Sequence, residues 1–249
     1  MIVYSPGHHL FVALHHKTNQ VEQTTTIKRK LSGLLESALA KKGTVLYVLQ
    51  HYAGMYEVRV HLPEAKMDNW NKPQHMKCKV ATGRYRDYTP AVWDDTTKSC
   101  SLFIDTAHEG PGAQWARSLR SGDPFIYLGI DSAGKAPVDS PEQVFIGDPS
   151  AIGHFFALMQ LTNGLGKISG SIIVKHEQHR EAFEASFPSL SISTVCSTKE
   201  IAGNTTMIRA DPDKQFYLAG NSMMVHELRK LLKQQGIAVH RIHAQGFWR

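Results

Sequence analysis

From Met55 to Leu62 the chain alternates with a period of two: Tyr56, Val58, Val60 and Leu62 fall on one side, and Met55, Glu57, Arg59 and His61 on the other. That period belongs to a strand with one buried face. Further strands are predicted near Val45 to Gln50, Met76 to Val80, Tyr85 to Val92, Leu102 to Thr106 and Phe125 to Leu128, broken by turn signals at Asn71-Lys72-Pro73 and Asp94-Asp95. Short antiparallel strands at this density predict a small β-barrel over residues 44–134. Upstream the period changes. Ile27, Leu31, Leu34, Leu35, Ala38 and Leu39 recur at helical spacing, with Thr26 as N-cap and Gly43 as stop. Residues 1–43 therefore read as an extension carrying an amphipathic helix.

The stretch from Gly134 to Pro141 has the composition of a linker, and beyond it apolar strands alternate with helical stretches. Gln143–Ile146 runs into a helix through Gly147-Asp148-Pro149-Ser150, Ser171–Val174 precedes a helix near His179 to Ala185, and Phe216–Ala219 precedes one from Ser222 to Gln234. Residues 135–249 are predicted to form an α/β domain of Rossmann-like type. Each of its strand-to-helix turns is a candidate phosphate site, because ligands of parallel sheets gather at the carboxyl ends of the strands.

Composition adds limits rather than a function. The 249 residues are 42% apolar, enough for one large core or two modest ones, and the 28 basic residues exceed the 22 acidic ones by 6. This excess favours anionic small molecules, and with no Lys/Arg block interleaved with aromatics it predicts no nucleic-acid partner. The three cysteines are far apart and odd in number, so they support neither a disulfide framework nor a four-thiolate cluster. No window of eighteen apolar residues and no basic, apolar leader is present, so a cytoplasmic protein without a membrane span is expected. His176-Glu177-Gln178-His179 lacks the spacing that puts two imidazoles on one helical face, and no nucleophile elbow or Walker loop occurs.

Two runs carry the chemistry. In Arg86-Asp87-Tyr88-Thr89-Pro90 an Arg on an extended strand offers a bidentate clamp for a pyrophosphate, a Tyr one pleat away offers a face for a ring system, and Thr89 offers a hydroxyl at its edge. In Gly110-Pro111-Gly112-Ala113-Gln114-Trp115-Ala116 a glycine-bounded helix start presents free N–H groups and roughly half an elementary charge to the same pyrophosphate. Trp115 reads as the packing residue that fixes this helix, and His108 stands just before the loop.

The Arg-x-Tyr-Thr strand, the Gly-Pro-x-x-x-Trp-Ala helix start, the Gly147-Asp148 turn and the closing Gly246-Phe247-Trp248-Arg249 resemble the siderophore-interacting protein family, cytoplasmic FAD-dependent ferric-siderophore reductases of the ferredoxin-reductase superfamily. The resemblance runs from about Thr44 to Arg249. It implies a flavin-binding barrel followed by a nicotinamide-binding Rossmann-like domain. It assigns Arg86 to the FAD pyrophosphate, Tyr88 to packing beside the flavin and Thr89 to a hydrogen bond near its reactive nitrogen. His108, Gly110, Pro111, Gly112 and Ala113 would line the rest of the FAD seat, and Trp248 would lie against the flavin. Gly147, Asp148, Ser150, Gly220 and Asn221 would serve NADPH or NADH. Lys72, Lys77, Lys79 and Arg249 would form a basic rim for an anionic ferric siderophore.

Four positions depart from the family pattern: Ala113 stands where Ser is common, Ala91 where a second Arg is found, Asn221 where Glu is usual, and Ala219 where wider ferredoxin reductases carry Cys. Weaker FAD binding or a preference for FMN would follow from the first two. Two alternatives stay open on the sequence: a reductase passing electrons to a ferredoxin or oxygenase component, and a ferric-chelate binding protein without flavin.

Overall fold

The structure is a computed structural model and describes residues 40–132, 134–164, 166–204, 208 and 214–248. The helix expected from Thr24 lies outside the described residues. Its expected last positions do not: Lys41, Lys42 and Gly43 pair with Tyr127, Ile126 and Phe125, so Gly43 is a strand residue and not a helix stop.

The first sheet is antiparallel and comprises β1 (Lys41–Tyr52), β2 (Met55–His61), β3 (Gln74–Ala81), β4 (Arg84–Tyr88), β5 (Ala91–Asp94), β6 (Ser99–Asp105) and β7 (Pro124–Ser132), in the order β4-β3-β7-β1-β2-β6-β5. The stretch read as one strand from Tyr85 to Val92 is two, because Pro90 has no N–H to give to a ladder. This break closes the fold. Laid flat, the edges of such a sheet would stand roughly 29 Å apart at about 4.8 Å per strand. The edges here, β4 and β5, are joined by Thr89-Pro90 alone, a link of about 10 Å at most, so the sheet must roll into a barrel.

Val58, Val60 and Leu62 fill the barrel with Met76, Cys78, Leu102 and Phe125, as their alternation requires. Met55, expected on the solvent side, is fully buried with Ala91 and Phe103 in a core shared with the second domain, which roofs that part of the barrel's outer face. Helix α1 (Pro111–Ser118) sends Ala116 into the barrel core, and Leu119 follows just past its end.

The second sheet is parallel: β8 (Glu142–Gly147), β9 (Lys167–Ile173), β10 (Ser193–Val195), β11 (Lys214–Asn221) and β12 (Ile242–Trp248) stand in the order β10-β9-β8-β11-β12. Its helices are α2 (Ile152–Leu161), α3 (Arg180–Ser186), α4 (Thr198–Gly203) and α5 (Ser222–Gln234). Both faces are covered, which explains strands that read as continuous apolar runs. Val144, Ile146, Phe216 and Leu218 pack with Val225, Leu228 and Leu232 of α5. Phe145, Tyr217 and Ala219 pack on the other side with Ile152 and Phe155 of α2. At Gly170, where φ is +152°, a Cβ would run into the Phe145 backbone, so only glycine lets β9 approach β8 this closely.

Strand order reverses between β8 and β11, and the Gly147 and Gly220 turns leave the sheet on either side of that switch point. The barrel meets the sheet there. Phe103 stacks on Phe156 with centroids 4.9 Å apart. Gln160 accepts from the Trp93 N–H at 3.0 Å and donates to the Trp93 carbonyl at 2.7 Å, as a strand neighbour would. Among the described residues no helix is long and apolar enough to cross a membrane.

Candidate functional site

The two runs singled out in the sequence meet at Gly112. In the β3–β4 ladder Arg86 stands opposite Cys78 and Tyr88 opposite Met76, so both share the face that α1 covers. A Cβ on Gly112 would overlap the Tyr88 hydroxyl and lie 3.5 Å from Arg86 Cγ. The Tyr88 ring is stacked on Trp115 at 5.9 Å and 17°, and Trp115 leans on Phe125 at 6.0 Å. The helix end beneath them is bare. Gly110 offers no side-chain cap, Pro111 has no N–H, and Ala113 is buried without a hydroxyl, so the first free N–H groups of α1 find no acceptor from a capping side chain. Arg86 donates to the Tyr85 carbonyl at 2.7 Å and has no carboxylate partner among the described residues. A groove of about 510 Å³, lined by Val80, Arg84, Pro111, Gln114 and Trp115, runs on from this point between the β3–β4 turn and α1.

The second constellation forms at the junction. Thr89, between β4 and β5, lies against Gly153, where a Cβ would come within 3.2 Å of its carbonyl oxygen. Trp248, near the end of β12, donates from Nε1 to Ser150 Oγ at 3.1 Å and stacks on His108 at 6.3 Å and 16°. Residues from the barrel, the Gly147–Ser150 turn and the chain's last strand thus share one place.

Asp148 holds this place together. Its carboxylate accepts from the Ser150 N–H at 3.0 Å, from the Ser150 hydroxyl, and from the Asn221 N–H at 2.8 Å, which ties the turn after β8 to the turn after β11. Gly220, at φ +121°, has no room for a Cβ beside that carboxylate. Burial pushes the Asp148 carboxyl above its usual range, while the hydrogen bonds from Ser150 and Asn221 and the charge of Lys175 pull the other way. The Asn221 side chain accepts from the N–H groups of Met223 and Met224 at 3.1 Å each and so caps α5.

Asp105 is the residue the sequence reading passed over. It ends β6, accepts from the Ala107 N–H at 2.9 Å and lies 3.9 Å from His108 Nδ1. Burial raises its carboxyl against the pull of the Ala107 hydrogen bond and the nearby His108, and the negative charge of Asp148 adds a smaller rise. A signal was present in the sequence: a carboxylate directly follows the apolar run Leu102-Phe103-Ile104 at the end of a predicted strand.

The lysines are not gathered here. Lys77 and Lys79 stand opposite Asp87 and Tyr85, on the reverse face of the hairpin from Arg86 and Tyr88, and Lys72 lies in the preceding loop. Arg249 is outside the described residues.

No protein-family model matches the chain, and no curated protein matches it in sequence. Solved structures do match in shape. A siderophore-interacting protein from Acinetobacter baumannii superposes with a TM-score of 0.67 at 13% identity, over 84% of this chain and 90% of that one. A ferredoxin NADP+ reductase from Neisseria gonorrhoeae with bound FAD and NADP gives 0.63 at 16%, over 84% and 99%. The fold is ferredoxin-reductase-like. A siderophore utilization protein from T. fusca gives 0.61 at 18%, over 84% and 92%. In this ferredoxin-reductase-like chain, the Gly112 seat belongs to the barrel and the Trp248 cluster to the junction between barrel and parallel sheet.

Proposed function

We propose that the chain is a flavoprotein reductase that binds FAD on the barrel, takes reducing equivalents from NADPH or NADH, and reduces a ferric siderophore. The observation that carries this reading is the meeting of Arg86, Tyr88 and the uncapped start of α1 at Gly112. A bare helix N-terminus beside a guanidinium without a carboxylate partner fits a pyrophosphate, and the groove of about 510 Å³ that continues from it fits the adenosine half of a dinucleotide. The likeness in shape to a reductase with bound FAD and NADP and to siderophore-interacting proteins supports the same reading.

Arg86 and the N–H groups of Gly112 and Ala113 would hold the diphosphate, Tyr88 would wall the ring system, and the Thr89 hydroxyl would donate at its reactive edge. His108, Gly110 and Pro111 complete the wall of this seat. At the junction Gly147 leaves no room for a Cβ between the Ala219 backbone, Ala151 and Phe155, Gly220 leaves none beside the Asp148 carboxylate, and Asp148 fixes the two turns relative to each other rather than reaching a ligand. Ser150 Oγ donates to Asp148 and accepts from Trp248. When Trp248 swings aside, that acceptor position becomes open to the carboxamide of an arriving nicotinamide. Bound FAD would supply the exchange between a two-electron hydride donor and a one-electron ferric acceptor.

An anaerobic titration of the FAD-reconstituted protein with NADH and NADPH, followed by a ferric siderophore, tests the reading through the visible spectrum. Bleaching by a nicotinamide and recovery with the chelate are expected. Arg86→Ala should weaken FAD binding by about 10- to 100-fold, the worth of a lost charge-assisted pair. Absence of a flavin band in the reconstituted wild type would overturn the reading.

A further inference from the structure

At the outer edge of the parallel sheet a cavity of about 300 Å³ opens between the linker, the edge strand β12 and helices α2 and α5. Lys135 of the linker and Arg229 of α5 line it together with His154, Tyr217, His243 and Gln245, and among the described residues its wall carries no carboxylate. Among the described residues neither Lys135 nor Arg229 has an ion pair or hydrogen bond. Two cations from different elements line one concavity, and no described carboxylate lines it with them.

The other residues make the concavity a shaped one. His243 and Tyr217 stack flat, with centroids 4.7 Å apart and planes 18° from parallel. His243 Nε2 meets Gln215 Oε1 at 2.9 Å, and the Tyr217 hydroxyl accepts from the Val138 N–H at 2.9 Å, which ties the linker to this aromatic wall. His154 is 7% exposed, and its buried Nδ1 has no hydrogen-bond partner.

We propose that this cavity binds a small oxyanion-bearing molecule, a carboxylate or a phosphate monoester. Arg229 would grip the oxyanion bidentately, Lys135 would supply a point charge, and the Tyr217–His243 wall would pack the remainder. The volume lies at the lower limit of small-molecule clefts, about 300–1,000 Å³, which fits a ligand of the size of citrate or a sugar phosphate. The site stands apart from the Gly112 seat, since none of its residues comes from the barrel strands or α1. It is nevertheless in touch with the junction. The His154 ring lies 5.6 Å from Phe247, the neighbour of Trp248, and Gly153 beside it packs on Thr89.

Calorimetric titration of the full chain with inorganic phosphate and with citrate, at constant ionic strength, tests this. Saturable binding of either probe is expected, weakened by about tenfold or more in Lys135→Gln and in Arg229→Gln and unchanged in Arg86→Ala. Arg229→Lys keeps the charge, should keep measurable binding, and guards against a folding defect. Three results would each overturn the proposal: no saturable heat with either probe, equal binding in the two Gln variants, or loss of binding in Arg86→Ala, which would place the probe in the Gly112 seat.

Discussion

Gly112→Ala tests the packing of the candidate flavin seat with one methyl group. The new Cβ would overlap the Tyr88 hydroxyl, and the phenol would have to retreat by about 1 Å to reach ordinary contact. It has little freedom to do so, because the ring is stacked on Trp115, which itself leans on Phe125. Overpacking of this kind costs about 1–3 kcal/mol. In a unit of this size that lowers the melting temperature by roughly 3–10 °C. Tyr88→Phe removes the atom that is struck and should change stability by under about 0.5 kcal/mol alone. Combined with Gly112→Ala it should recover about 1–2 kcal/mol, a coupling of the size expected for residues in contact. Urea unfolding of the four proteins measures the stability cycle, and quenching of FAD fluorescence measures the consequence for the seat. Strict additivity of the two substitutions would refute the packing argument. Unchanged FAD affinity in Gly112→Ala would separate the packing from the proposed cofactor.

Trp248→Ala should leave FAD stoichiometry unchanged and lower the nicotinamide KM by roughly 2- to 10-fold, because Ser150 Oγ loses a competing donor; steady-state kinetics with both nicotinamides would show it. Gln160→Met removes both hydrogen bonds to the Trp93 backbone and should cost about 1–3 kcal/mol, read as a fall in the urea midpoint; an unchanged midpoint would mean that this link between barrel and sheet is not stabilising. Asp105 and Asp148 both have carboxyls held above the ordinary 3.8, chiefly by burial, so their ionised forms disfavour the folded state at neutral pH and protonation relieves it. Wild-type stability relative to Asp105→Asn should therefore rise as pH falls from neutral towards the ordinary carboxyl value of 3.8, and a difference that stays constant on that descent would contradict the burial of that charge.

The barrel and the parallel sheet were legible because their signals are local. Alternation in β2, the apolar runs of β8 and β11 and the helix from Ser222 to Gln234 depend on which faces are buried, and burial is written into residue type. The Arg86 strand and the Gly110–Gly112 helix start could be paired from the sequence because each implies a ligand group. Asp148 and Asn221 could be placed on the right turns, but not given their contacts. Asp148 bonds to a backbone N–H 73 positions away, and no periodicity encodes a hydrogen bond across two strand ends. The same holds for Asp105, whose significance arises only when the fold buries its carboxyl beside His108. Met55 was misjudged for a related reason: its neighbours in sequence mark the solvent side of a strand, and only the docking of the second domain covers it. Local pattern determined which elements form. Contacts between residues distant in the chain decided which of their polar groups became a site, because only the folded arrangement sets what is dry, what is paired and what is left open.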